Sequence, residues 1–312
     1  MNRFLAVSGG GDRGLVIVGM LLELFALKGR EAVNWSESAG ISAGAFVCAY
    51  VSQLTPDTFE QGMNELKEAF LSGHFDLIKK WISGPAVLNV ADALLYHSSI
   101  FSNEKLRLTI EKYYKKPLRQ FSVGVFNQTK PCYETFSSTT TEDMVPAILA
   151  SASVPLVFPP VKIGEGLYED GGVRHIIPVR EIKDWIERTH GDRHADILIC
   201  YPINNRELFT QMVQDRTSFA LLNNGTHMVS DFMLGNLERD IQELARIAGV
   251  SLDDMRALSC GKFSFKDDKG KVTLQIISPS DGRFTSFLKM DREKNEQLLE
   301  SGKDIVEQYL KV

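Results

Sequence analysis

Cysteine is scarce in this sequence and never clustered: Cys48, Cys132, Cys200 and Cys260 stand alone, with no Cys-x-x-Cys pair. That excludes a ribbon-type zinc site and a dense disulfide framework, and points to a reducing compartment. Positive charge is not in excess either. With a net charge of -5 and no Lys/Arg cluster, the chain lacks the electrostatic footprint of a nucleic-acid binder. Long hydrophobic runs are missing as well. The most apolar stretch, Leu15 to Leu27, is broken by Glu23 and falls short of the roughly twenty residues that cross a bilayer. Met1 to Val7 run into a glycine cluster before the apolar core of a signal peptide can develop. No transmembrane or secretory segment is expected, and the expected location is the cytoplasm, with peripheral contact to a membrane left open. Repeats, low-complexity tracts and linkers are lacking too. The 312 residues suffice for a full core and are expected to form one unit, 1–312, with a motif-bearing part over about 1–203 and a part 204–312 continuing the same fold.

What is present centres on Ser38-Ala39-Gly40-Ile41-Ser42-Ala43-Gly44, which contains Gly-x-Ser-x-Gly. In a nucleophile elbow a serine occupies a sharp strand-to-helix turn and its flanking glycines avoid clashes. Ala32 to Glu37 is expected to be the strand before it, and the small apolar run from Ala43 to Tyr50 the buried helix behind it. The competing expectation for the same residues is an ordinary glycine-flanked turn.

Earlier in the chain, Phe4 to Ser8 reads as a strand, Gly9-Gly10-Gly11-Asp12-Arg13-Gly14 as a glycine loop, and Leu15 to Leu27 as a buried helix. Backbone N–H groups left open at such a helix start can bind a phosphate or an oxyanion. The loop also satisfies Gly-x-Gly-x-x-Gly, so a dinucleotide site is a competitor. It requires an acid at the end of the second strand, where Glu31 or Glu37 would have to serve. If instead the second strand runs into the serine elbow, the two glycine-rich turns lie side by side at the carboxyl edge of a parallel sheet.

Further on, helices are expected after Pro56-Asp57 and Ser102-Asn103-Glu104, strands at Phe121 to Phe126 and Tyr133 to Ser137, and a helix from Met144 to Ala152 capped within Thr141-Glu142-Asp143. Gly73 to Tyr96 is rich in large apolar residues and is expected to pack on the core, or else to cover the site. Two short strands around Gly164-Glu165 deliver Glu169-Asp170-Gly171-Gly172 to a strand end. By itself this is a tight-turn sequence, but an acid facing Ser42 could take its proton. Ala195 to Tyr201 and Val272 to Ile277 are expected strands that extend the first sheet, flanked by amphipathic helices at Met228 to Ala248 and Arg292 to Leu310.

A Ser-His-Asp triad is the usual partner set for a Gly-x-Ser-x-Gly serine. His175 lies too close to Asp170 in sequence to be held by it and also aimed at another turn, while His190, His194 and His227 sit in plain polar stretches. A Ser42–Asp170 dyad needs fewer assumptions, and it requires burial to raise the aspartate above its reference pKa near 3.9.

The ordered set Gly9 to Gly14, Gly40 to Gly44, Ala150-Ser151-Ala152-Ser153-Val154-Pro155 and Asp170-Gly171-Gly172 resembles the patatin-like phospholipase family over about the first 180 residues. The resemblance implies an α/β fold, a three-layer α/β/α sandwich with a mostly parallel central sheet, and hydrolysis of lipid acyl esters by a Ser-Asp dyad without metal or cofactor. Carried over by position, Ser42 is the nucleophile, Asp170 the base, and Gly10 and Gly11 the oxyanion-hole donors. Gly9, Asp12, Arg13, Gly14, Gly40, Gly44, Gly171 and Gly172 support these turns, with Arg13 ordering the loop, meeting lipid phosphate or forming a structural salt bridge. The implied partner is a lipid substrate at a membrane surface. Val173-Arg174-His175-Ile176-Ile177-Pro178 departs from the family pattern by lacking asparagines after Asp-Gly-Gly, which leaves the local support of Asp170 open. Two other functions stay in play: a nucleotide-binding module built on the Gly9–Gly14 loop, and a catalytically silent lipid-binding relative.

Overall fold

Short apolar runs that end in glycine, alternating with longer apolar or amphipathic segments, build parallel strands with crossover helices. The computed structural model describes residues 1–72, 102–203, 235–258, 260–280 and 292–311. In chain order these form β1 (Asn2–Val7), α1 (Gly14–Lys28), β2 (Glu37–Ile41), α2 (Ala43–Val51), α3 (Phe59–Leu71) and α4 (Glu104–Tyr113). Next come β3 (Gln120–Asn127), β4 (Cys132–Ser137), α5 (Val145–Ser151), β5 (Val161–Ile163), β6 (Gly166–Asp170), α6 (Val179–Arg188) and β7 (Arg193–Leu198). A helix over residues 235–248 (α7) is followed by α8 (Leu252–Ala257), β8 (Cys260–Asp267), β9 (Gly270–Ile277) and α9 (Arg292–Lys311).

All nine strands join one sheet with the path β5-β6-β3-β2-β1-β7-β9-β8, and β4 pairs with β3 off that path. The centre, β3-β2-β1-β7-β9, is parallel, while β4, β5, β6 and β8 pair antiparallel. From β1 the chain crosses over to β2 and β3 in one direction along the sheet, and later to β7 and β9 in the other. Right-handed crossovers from β1 to β2 and from β2 to β3 place α1 and α2 on one face, and α6 covers the opposite face, with Trp185 stacked on Phe4 of β1, giving three layers. α1 is apolar all round and buried from Leu15 to Leu21 because α9 and α3 cover the side that the sheet leaves open.

One detail of β3 governs the site. β4 runs along Ser122 to Asn127 of β3, so the other edge is shared. β2 occupies that edge up to Ile41↔Gly124, and β6 takes it over at Asp170↔Val125. The ends of β2 and β6 therefore meet at adjacent residues of one strand.

The expected strand at Ala32 to Glu37 is corrected: Arg30–Val33 is a 3-10 turn, and the strand lies later, where Phe4↔Glu37 through Val7↔Gly40 pair with β1. β8 and α6 are additions to the expected elements; β8 is an edge strand whose outward residues are polar and give little apolar signal. The expected segment Gly73 to Tyr96, together with His227, lies outside the described residues. Among the described residues no helix is long and apolar enough to cross a membrane.

Candidate active site

Ser42 sits between β2 and α2 with φ 56° and ψ -126°, a region that non-glycine residues occupy only when their surroundings hold them there. The neighbouring glycines explain why. A Cβ on Gly40 would lie 2.2 Å from Gly44 O, and one on Gly44 would lie 2.5 Å from Ser8 O, so the turn closes only with glycine at both positions. Serine at this N-cap position ordinarily spends its hydroxyl on the helix. Here Ser42 makes no capping bond.

The elbow is held through its backbone. Ser42 N–H donates to Ser151 Oγ at 2.9 Å, and the Ser151 hydroxyl donates to Gly124 O at 2.7 Å. Ser151 is buried at the end of α5. Two residues on, Ser153 O accepts the Asp170 N–H at 3.0 Å. One short segment thus braces both sides of the β2–β6 junction.

Asp170, the last residue of β6, is 1% exposed. Its Oδ1 accepts the Gly172 N–H at 2.7 Å, while the buried Oδ2 makes no well-formed hydrogen bond. Burial raises the carboxyl to about 7, with the charge of Glu169 adding to the rise and hydrogen bonding from Gly172 and the Ser42 side chain opposing it. Gly171 is required by close approach, since a Cβ there would meet Gly124 O at 2.4 Å.

The glycine loop lies alongside. Gly9 N–H donates to Ile176 O at 2.8 Å, and a Cβ on Gly9 would sit 3.2 Å from Ser42 Cβ. Gly11 has φ 59° and opens the 3-10 turn Gly11–Arg13 that leads into α1. The N–H groups of Gly10 and Gly11 donate no hydrogen bond among the described residues, as expected at the start of a helical turn. Arg13 is 5% exposed, with its guanidinium over the Tyr201 ring at 5.0 Å. Burial likewise raises the Asp12 carboxyl.

The support that the Val173–Pro178 sequence left open comes from α7. Asn236 Nδ2 donates to Gly172 O at 2.9 Å and Val173 O at 2.8 Å. Asp240 accepts the Ile176 and Ile177 N–H groups at 2.6 and 2.9 Å and pairs with His175 Nδ1 at 2.7 Å. His175 is thereby committed to Asp240 and stacks edge-on against Tyr133. His194 pairs with Asp196 at 2.9 Å, near the start of β7 and away from the elbow. A dinucleotide site is disfavoured on geometry: Glu37 begins β2, which places it at the opposite end of the sheet from the glycine loop. Among the described residues no group of three or more His, Cys, Asp or Glu is placed to hold a metal ion.

Residues 5–182 match the Patatin family, described as patatin-like phospholipase. The chain belongs to this family. A relative is the "Probable lipid hydrolase 463L" of Invertebrate iridescent virus 6, 30% identical over 189 residues that make up 56% of this chain and 61% of that protein. The chain thus matches less than two thirds of that relative's length. Among solved structures, VipD from Legionella pneumophila aligns over 99% of this chain and 66% of its own, with 14% identity and a TM-score of 0.41. The type III effector ExoU aligns over 82% and 58%, with 14% identity and a TM-score of 0.29.

Proposed function

We propose that the chain, acting as one catalytic unit over residues 1–312, is a serine hydrolase of lipid acyl esters, phospholipids included. Ser42 Oγ attacks the ester carbonyl as Asp170 Oδ2 accepts its proton. The oxygen that gains negative charge is met by the Gly10 and Gly11 N–H groups. The carbon–oxygen bond to the alcohol then breaks, and the leaving oxygen takes the proton back from Asp170. Water attacks the acyl-enzyme, gives a proton to Asp170, and the acid departs as Ser42 recovers its hydrogen.

What supports this scheme most is the state of Asp170: a buried carboxyl raised to about 7, with one oxygen unbonded beside an elbow serine that caps nothing. A base with pKa near the working pH is both deprotonated often enough and basic enough to help. Two uncommitted N–H donors suit an oxyanion, and losing one such donor costs on the order of 3 kcal/mol in the transition state. The family and the relative's description as a lipid hydrolase support the substrate class, and a membrane surface is the proposed place of reaction because that is where such lipids lie. The scheme calls for no cofactor.

The test is fluorophosphonate labelling with peptide mapping, together with a lipid ester panel. Label is expected on Ser42, and a folded Ser42→Ala protein should lose both label and turnover. Label on another serine, or turnover retained in Ser42→Ala, would overturn the scheme.

A further inference from the structure

Parallel strands covered by helices on both faces are ordinarily apolar on both. On one face, near the strand starts and away from Ser42, this sheet departs from that pattern. Residues paired in register project to the same face. Arg3 of β1 pairs with His194 of β7, and His194 with Thr273 of β9. Two residues along, Asp196 pairs with Gln275, and Gln275 with Lys262 of β8. A polar row crosses four strands, while the opposite face of β7 and β9 carries the buried Ala195, Val272, Leu274 and Ile276.

The row is built and held. Asp196 is fully buried, its Oδ2 accepting Trp35 Nε1 and Arg3 Nη2, both at 2.6 Å, and its Oδ1 pairing with His194 Nε2. Thr273 Oγ1 and Ser264 Oγ are 3.1 Å apart. The half-buried Gln275 amide enters none of these bonds. Above the row lies a cavity of about 1010 Å³ whose other wall is apolar, formed by Leu24, Ile305 and Tyr309. Exposed Lys28, Lys262 and Lys271 stand among its lining residues, opposed by the acids Glu31 and Asp192.

The two walls select a ligand class. A plain hydrocarbon chain would strip water from the Gln275 amide and return no hydrogen bond, which is unfavourable for a buried polar group. A body with hydrogen-bonding edges and a flat or apolar face fits between the row and Tyr309. The lysines suit an anionic end. Pockets of this size hold ligands up to nucleotide dimensions.

We propose that this cavity is a second binding site, separate from the Ser42 site, for a small organic phosphate ester, with its phosphate among Lys28, Lys262 and Lys271 and its body between Tyr309 and the Thr273–Gln275 row. The ester could be a soluble nucleotide or a phosphorylated lipid head group. The site does not depend on the chemistry at Ser42.

The experiment is calorimetry on the full chain carrying Ser42→Ala, titrated separately with ATP, GMP, glycerophosphocholine, inositol 1-phosphate, inorganic phosphate and oleate. One phosphate ester is expected to bind in a one-to-one ratio and inorganic phosphate at least tenfold more weakly. ATP or GMP as the tightest ligand assigns the soluble source, and glycerophosphocholine or inositol 1-phosphate the lipid head group. K262E/K271E, changes at two exposed positions, should weaken binding at least tenfold with the melting temperature unchanged, and Gln275→Leu should weaken it without altering the salt dependence. No binding by any phosphate ester, equal binding of inorganic phosphate, binding of oleate alone, or affinity unchanged in K262E/K271E would each overturn the proposal.

Discussion

The two ends of the central sheet hold two buried aspartates in opposite states. Asp170 at the carboxyl edge and Asp196 toward the amino edge are 1% and 0% exposed, so burial alone would raise both. Asp196 receives Trp35, Arg3 and His194, and the hydrogen bonds and charges of His194 and Arg3 outweigh desolvation and hold its carboxyl below the usual range. Asp170 receives one backbone N–H and the influence of Ser42, and rises to about 7. The raised carboxyl at the carboxyl edge thus comes from donors that the fold withholds. The price is an ionisation cost that the amino edge does not carry.

Exchanging the carboxyls for neutral groups should separate the two ends. The largest effect is expected from Asp170→Asn, which should lower lipid ester hydrolysis by about 10²–10⁴-fold, the usual contribution of a general base, in a protein that folds normally. In the parent protein kcat/KM should rise with pH through about 7, because the base must be deprotonated. Stability should move the other way. A folded pKa raised from 3.8 to about 7 contributes stability that is complete below the unfolded value and is lost as pH rises through 7, by on the order of 4 kcal/mol. Denaturant unfolding at several pH values should find that loss in the parent and not in Asp170→Asn. A stability profile identical in the two proteins would erase the contrast.

Asp196→Ala should have the next largest effect, on stability and not on chemistry. It leaves Arg3 and His194 without their buried partner, and removing one member of such a group costs about 3 kcal/mol. The parent's contribution from Asp196 has the opposite sign from that of Asp170: it is present above the unfolded pKa and is lost as pH falls through the depressed folded value. Turnover per folded molecule should be unchanged. A large kcat loss in folded Asp196→Ala would mean that the two ends are coupled.

Ser151→Ala should have the smallest effect and sharpen the comparison within the carboxyl edge. It removes the acceptor for Ser42 N–H and the donor to Gly124 O, at about 1 kcal/mol for a typical hydrogen bond, or roughly a fivefold loss. The loss should appear in kcat and in the rate of fluorophosphonate labelling, with KM little changed. An unaltered kcat would leave Ser151 with packing alone.

The parts of the site that were legible in the sequence are those in which spacing along the chain is itself the constraint. Gly40 and Gly44 flank Ser42 because α2 folds directly back on the elbow, and Gly9 to Gly14 form a loop because the chain turns from β1 into α1. Supports reaching across the chain were not legible. Ser151 meets Ser42 across 109 positions, and Asn236 meets Gly172 across 64. Ser151 lay within a segment that carried the family resemblance, but nothing there indicated a bond to the elbow. Asn236 and Asp240 left a faint trace, as polar residues four apart on an otherwise amphipathic helix. Ala32 and Val33 look extended in sequence, but pairing with β1 selects Glu37 to Ile41 as the strand before the elbow.

The sequence by itself determined the glycine turns, the serine between them, an acid at the end of a later strand, and the family to which these belong, since all are properties of neighbouring residues. Only the tertiary structure decided that Ile41 and Asp170 pair with adjacent residues of β3 and that Asp170 differs from Asp196. A carboxyl's pKa is set by how much water is excluded and how many donors replace it, and both depend on residues distant in the chain.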